Sequence, residues 1–338
     1  MNCERPWAPN PSMTSDKNFS NRAKVGKGET RTKSPRQGAP VYDELEEPHA
    51  LVCTEVWGGN RRVIRTIKLP SLAAWVASLP IQEGEGGGDL HYMSVCDFDL
   101  ISRVALADVS GHGRDVNAVT QTLRNLMRKN INAWDQSDFM RGLNDTFRQG
   151  GNDKYATAIV LSFHRVTGRL AFSNAGHLPP LWYHAAQGMW GWLEEGMEAK
   201  KASGFPVGLI PGTDYSQTVV TLKPSDLLVL YTDGVTEAQN ETGQELGRRQ
   251  LLDWARQAPV DSPRMLGDYL LRRLESFRGT LRNDDETLLV LRRKEESLLF
   301  RLAEVATSST IGRLLRSLLP GREQSARRVF SAGRIDKA

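Results

Sequence analysis

Short apolar runs and two-residue alternation dominate the chain between about residues 60 and 292, and helical periodicity is confined to a few windows. Residues 62–69 alternate as a strand, and 71–79 read as a short helix. Residues 91–96 and 101–108 read as a hairpin around Asp97-Phe98-Asp99, with Asp97 and Asp99 as solvated turn residues. Val116, Val119, Leu123, Leu126 or Met127, and Ile131 recur at helical spacing and predict a long amphipathic helix after Gly113. A second helix is predicted over 138–148, with Ser137 or Asp138 as its cap. Residues 155–164 and 169–174 flank Thr167-Gly168 as a hairpin, and 181–184 with 189–193 continue the antiparallel pattern. Residues 217–222 and 226–231 predict a further pair around Lys223-Pro224-Ser225. Helices over 248–256 and 263–277 precede a closing strand at 286–291. Strands joined mostly as hairpins, with helices grouped between them, predict an α+β layered domain.

Composition divides the chain differently. Residues 1–40 are rich in Ser, Pro, Gly, Asn and Lys, with eight Lys/Arg against three acids and almost no apolar periodicity. A segment that cannot bury apolar surface is expected to stay disordered, so 1–45 reads as a basic tail. Residues 292–338 carry a net +6. Since the whole chain is +4 and 1–40 is +5, residues 41–291 carry −7. The excess of positive charge therefore belongs to two tails around an acidic body, and it does not indicate nucleic-acid binding. Ile311, Leu314, Leu315 and Leu318 form one helical face in a C-terminal extension over 294–338. That basic amphipathic helix packs back on the body, rests on an anionic membrane surface, or binds a partner. No apolar run reaches the roughly 18–20 residues that span a bilayer. The N-terminus lacks a signal-peptide core, and Cys3, Cys53 and Cys96 form no Cys-x-x-Cys. A cytoplasmic setting is the simplest expectation.

The chemistry is concentrated in four phrases that each hold a bare carboxylate: Gly87-Gly88-Asp89, residues 107–113 (ADVSGHG), Tyr231-Thr232-Asp233-Gly234 and Asn283-Asp284-Asp285-Glu286-Thr287. Val104 to Ala107 precede Asp108, residues 227–231 precede Asp233, and residues 288–291 follow Asp285, so three of the four abut an apolar run. Asp-Gly after a strand is also an ordinary turn signal, and one such aspartate alone would carry little weight. Four in this order, beside strands, place carboxylates at the rim of a sheet. Converging there, they would repel one another unless a cation lay between them, and an all-oxygen donor set suits Mg²⁺ or Mn²⁺.

These phrases, with Asn174-Ala175-Gly176-His177-Leu178-Pro179-Pro180 and Pro206-Val207-Gly208-Leu209, resemble the SpoIIE/RsbU-type branch of the metal-dependent serine/threonine phosphatases, the PPM or type-2C superfamily. The resemblance covers about residues 70–292, and a phosphatase domain is expected over 50–293. It implies a central antiparallel β-sandwich flanked by helices (αββα), with metals at one end. It implies two ions, Mn²⁺ or Mg²⁺, with Asp108 bridging them and the Val109 carbonyl as an added ligand. Asp233 and Asp284 would complete one metal site, and Asp89 would contribute to the other. Asp285 is then a neighbour or a cap, and Thr287 holds that turn. His112 is the candidate general acid or else orients the loop. His177 is expected to fix a loop, and His91 to be a strand histidine within reach of a metal. One departure stands out, because Tyr92 occupies the position where the family usually carries a second aspartate.

The activity so implied is hydrolysis of phosphoserine or phosphothreonine on a regulatory protein, such as an anti-sigma antagonist of the STAS type, by metal-activated water. The chain has no Cys-x5-Arg loop for a covalent route. The alternative is a degenerate phosphatase that binds a phosphoprotein without turnover, and a third reading is a hydrolase of small phosphate esters. Regulation is expected to come from the tails, from a separate protein or from dimerisation.

Overall fold

In the computed structural model, the described residues are 49–50, 55–59, 61–81, 87–96, 100–110, 122, 124–126, 135–149, 154–194, 204–280 and 282–295. His112, most of the helix expected after Gly113, the turn at 97–99, the N-terminal tail and the C-terminal helix lie outside them.

Two sheets form the body. The first runs β1 (His49–Ala50), β3 (Val63–Lys68), β4 (Leu72–Leu79), β13 (Glu286–Arg293), β12 (Leu227–Tyr231), β9 (Leu181–His184) and β10 (Met189–Trp192). The second runs β11 (Thr218–Thr221), β8 (Arg169–Ala175), β7 (Ala156–His164), β6 (Ile101–Val109), β5 (Asp89–Cys96) and β2 (Glu55–Gly58). Apart from β1 on β3, every pairing is antiparallel.

Alternation along the strands sorts side chains into three cores. Between the sheets lie Ala74, Val76, Leu228, Leu230, Leu289 and Leu291 from one side and Met93, Leu106, Ile159, Leu161 and Phe172 from the other. The opposite faces of β4 and β12 present Trp75, Ala77, Leu227, Val229 and Tyr231 to helices α3 (Gly247–Gln257) and α4 (Pro263–Arg278). On the far face of the second sheet, Leu90, Tyr92, Ala105, Ala107 and Val160 meet Phe139, Met140, Leu143 and Phe147 of α1 (Gln136–Gln149). The result is an αββα sandwich, the fold class the sequence implies.

Helix ends follow local chemistry. Ser262 caps α4 by accepting from Met265 N at 3.1 Å, Pro263 opens it, and Gly279 closes it at φ 61°. For α1 the cap is Asp135, whose Oδ1 accepts from Ser137 N and Asp138 N at 2.9 and 3.4 Å, upstream of both expected capping residues.

Two expectations are corrected. Residues 71–79 hold strand β4 and not a helix. The strand is central and buried on both faces, between β3 and β13, so two-residue alternation is erased and Ala-rich composition misleads. Residues 217–222 and 226–231 also do not pair. Strand β11 adds to β8 in one sheet and β12 to β13 and β9 in the other, so the link through Ser225 (φ 67°) crosses between layers.

Candidate active site

The four carboxylate phrases meet where both sheets end. Asp89 opens β5 and stands opposite Asp108 of β6 in the ladder, and Asp108 stands opposite Thr157 of β7. From the other sheet, Asp233 begins a single helical turn, α2 (Asp233–Thr236), directly after β12. Asp284 and Asp285 lead into β13.

Asp89 is buried, and its Oδ2 accepts from Thr232 Oγ1 at 2.8 Å and from Thr287 Oγ1 at 2.6 Å. Thr287 N donates to Thr232 Oγ1 at 3.0 Å, so one small network joins β12, β13 and β5 across the sandwich. Burial, and next the Asp108 charge, hold the Asp89 carboxyl well above the usual range, while the two threonine hydroxyls pull the other way. Thr232 has no role in the sequence pattern; its position between an apolar strand and Asp233 was the only signal for it.

Asp285 is also buried. Its Oδ1 accepts from Ile81 N at 2.7 Å and its Oδ2 from Gly88 N at 2.6 Å, which ties the Gly87-Gly88 approach to the start of β13. There is no room for side chains in this junction. A Cβ on Gly87 would lie 2.7 Å from Asp285 Oδ2, and one on Gly234 would lie 2.1 Å from the Asp285 carbonyl oxygen.

Asp108 carries the strongest electrostatic signal. Its pKa is pushed up to about 8, first by desolvation and then by the charges of Asp233, Asp284 and Asp285. Among the described residues no group of three His, Cys, Asp or Glu side chains is close enough to enclose an ion. Chemically the set still fits a hard divalent cation. It offers oxygen donors alone, and burial, then the charges of neighbouring aspartates, raise the proton affinity of Asp108 and Asp89. Asp233 and Asp284 lie near enough to Asp108 for their charges to act on it, so these three carboxylates could contribute oxygens to one ion. The Val109 carbonyl follows on the same strand end, and Asp89 lies behind, between the sheets.

The histidines take separate places. His177 Nδ1 lies 2.9 Å from Thr157 Oγ1, and Asn174 both accepts from His177 N and donates to its carbonyl, at 2.8 and 2.9 Å. Burial lowers its pKa to about 4, so the ring is neutral near pH 7. His91 is fully buried against Gly58, and burial, with Arg65 nearby, lowers its pKa to about 3. Tyr92 does not face the carboxylates. It packs on the α1 side of the sheet, and its hydroxyl donates to Glu55 Oε2 at 3.2 Å. Glu55 in turn pairs with Arg124, which lies 4.0 Å over the Trp57 ring.

Comparison with known proteins points one way. Residues 102–294, more than half the chain, match the family described as Stage II sporulation protein E (SpoIIE). The phosphoserine phosphatase RsbU of Bacillus subtilis is 25% identical over 246 residues, covering 71% of this chain and 70% of that protein. The crystal structure of the RsbU and RsbW domains of a Mycobacterium tuberculosis protein is 25% identical, with a TM-score of 0.59, over 72% of this chain. The PP2C phosphatase domain and regulatory fragment of B. subtilis SpoIIE is 18% identical, with a TM-score of 0.58, over 67% of this chain. The chain spans 65% and 63% of those two structures.

Proposed function

Because this chain belongs to the SpoIIE family and is a PPM-type serine/threonine protein phosphatase, we propose that its substrate is phosphoserine or phosphothreonine on a small regulatory protein. A phosphorylated anti-sigma antagonist of the STAS type is the expected kind. We assign the metal ligands as Asp108, Asp233, Asp284 and the Val109 carbonyl, with Asp89 serving the second of two Mg²⁺ or Mn²⁺ ions. What supports the reading is the crowding of Asp108 by Asp233, Asp284 and Asp285 at the end of the sandwich.

When bound, such ions supply an acidified water and neutralise charge in an in-line displacement. The protein's own part is positional. Thr232 and Thr287 fix the Asp89 carboxylate, and Asp285 anchors the glycine approach so that backbone can come close. Thr157 and Asn174 hold a neutral His177 beside the Asp108 strand. Lys154 Nζ donates to the Ser110 carbonyl at 3.3 Å, placing an ammonium on the same rim. His112, the candidate general acid, lies outside the described residues. The binding-only alternative drew on Tyr92, and a side chain there faces the α1 layer, so that position does not favour it.

The test is phosphate release from a phosphoserine protein while Mn²⁺ and Mg²⁺ are titrated, beside Asp108→Ala. Metal-dependent release that disappears in the variant is expected. Undiminished release from Asp108→Ala would sink the assignment.

A further inference from the structure

Eight large apolar side chains are exposed among the described residues, and five of them, Ile81, Tyr155, Phe205, Leu209 and Ile210, sit on segments joined to the carboxylate rim. Ile81 is bound through its amide to Asp285. Tyr155 brackets Ser110, two residues beyond Asp108. The Tyr155 carbonyl accepts from Ser110 N at 2.9 Å, and Tyr155 N donates to Ser110 Oγ at 3.1 Å. Val207 exchanges both backbone hydrogen bonds with Ala156, at 2.9 and 2.8 Å. A Cβ on Gly176 would lie 2.9 Å from Pro206 Cδ, and one on Gly208 would lie 3.0 Å from the Lys154 carbonyl oxygen. Residues 205–210 therefore run along the rim between Tyr155 and the His177 loop.

This stretch is held rigidly in the exposed position. The buried Asn144 of α1 accepts from Gly208 N at 2.8 Å and donates to the Ile210 carbonyl at 3.0 Å. Gly208 takes φ 86°, a conformation that suits glycine. Phe205, Leu209 and Ile210 are 49%, 45% and 38% exposed on a turn that polar bonds prevent from folding under. Apolar surface kept in water by a built scaffold marks an interaction site.

Resting on the phosphatase reading above, we propose that Tyr155, Phe205, Leu209 and Ile210 form a docking ledge for the protein substrate. The substrate it fits is a phosphoserine polypeptide with large apolar side chains flanking the phosphorylated residue. The ledge is continuous with the strand end that carries Asp108 through the Ser110–Tyr155 and Ala156–Val207 hydrogen bonds, so a chain presenting its phosphate there has this apolar surface beside it. A small ester would leave it wet. A symmetric second copy seated here would set two carboxylate rims against each other.

The test uses two phosphoserine peptides of equal length, one flanked by Leu and Ile and the other by Ser and Asn, with p-nitrophenyl phosphate as reference. Steady-state kinetics are compared for the wild type, Phe205→Ser and the double variant Leu209→Ser/Ile210→Ser at fixed Mn²⁺, and sedimentation is run in parallel. The apolar-flanked peptide is expected to have a kcat/KM about tenfold higher, carried by KM. The variants should lose that preference and keep wild-type hydrolysis of p-nitrophenyl phosphate. Equal kcat/KM for both peptides, with the small ester still cleaved, would overturn the ledge alone. So would a dimer that the ledge variants convert to monomer. No metal-stimulated release from any of the three substrates would overturn the phosphatase reading, and the ledge with it.

Discussion

Replacing Asp108 by Asn should stabilise the protein in chelator, by an amount that grows as pH rises from about 4 to about 8. In the folded chain Asp108 has its pKa raised from 3.8 to about 8 by burial and by the neighbouring aspartates. Between those values the folded state holds a proton that the unfolded chain has released, so stability falls as pH rises through this window. At about 1.4 kcal/mol per tenfold change in proton affinity, the penalty near pH 8 has a ceiling on the order of 5–6 kcal/mol. Side-chain rotation and water entry would reduce that to about 2–3 kcal/mol. Asn keeps the shape and removes the charge, and it also relieves Asp89, which Asp108 helps to shift. For a domain of this size the gain corresponds to a Tm rise of about 5–10 °C at pH 8, fading to nothing near pH 4. Thermal melts of wild type and variant in EDTA across pH 4–8 measure it. Adding Mn²⁺ should raise the wild-type Tm and leave the variant nearly unmoved. Equal melting at pH 8 in chelator would refute the view that these carboxylates are mutually destabilising without a cation.

Two further outcomes test the scaffold. Gly267→Ala should destabilise, although Ala normally gains about 1 kcal/mol over Gly within a helix. The new Cβ would stand 2.2 Å from Trp75 Cε3 in the α4–β4 core, so a loss of about 2–3 kcal/mol is expected in urea unfolding. Glu286→Gln should cost about 3–5 kcal/mol, because the buried ion pair with Arg278 at 2.7 Å and the second pair with Arg282 at 3.5 Å would both lose their negative charge; Arg278→Met in the Gln background should recover part of that loss in the same unfolding assay.

The fold was legible wherever a strand has one face unlike the other, or a helix shows one apolar stripe. The hairpins β5–β6 and β7–β8 and the helices α3 and α4 lie within a residue or two of the positions their periodicity predicts. Strand β4 was not legible. Leu72, Ala74 and Val76 face one core while Trp75, Ala77 and Leu79 face another, so both parities are apolar and no period survives. The β11–β12 error has a different origin. Lys223-Pro224-Ser225 is good turn chemistry, but whether a turn closes a hairpin or changes sheet depends on which neighbours capture the two strands, and β8 and β13 lie far away in sequence.

For the site, sequence can show that carboxylates end strands, but not how the sandwich divides labour among them. Two adjacent aspartates illustrate this. Asp284 is exposed and lies near Asp108, whereas Asp285 turns inward to hold the amides of Ile81 and Gly88. Both belong to the same phrase, and only the tertiary placement of two backbone N–H groups roughly 200 residues upstream separates them. Position 92 follows the same rule. A tyrosine three residues after Asp89 reads as damage to the site when the phrase is taken as a string. Strand pleat places Asp89 and Tyr92 on opposite faces, and Tyr92 instead joins Glu55 in the α1 layer. The ledge was invisible for a related reason. Phe205, Leu209 and Ile210 look like ordinary core residues in sequence, and it takes the amide of Asn144, on a helix more than 60 residues upstream, to hold them out in water. A carboxylate rim and an apolar shelf fixed beside it then follow from one strand end, which is why substrate preference and metal affinity should respond to different substitutions in this protein.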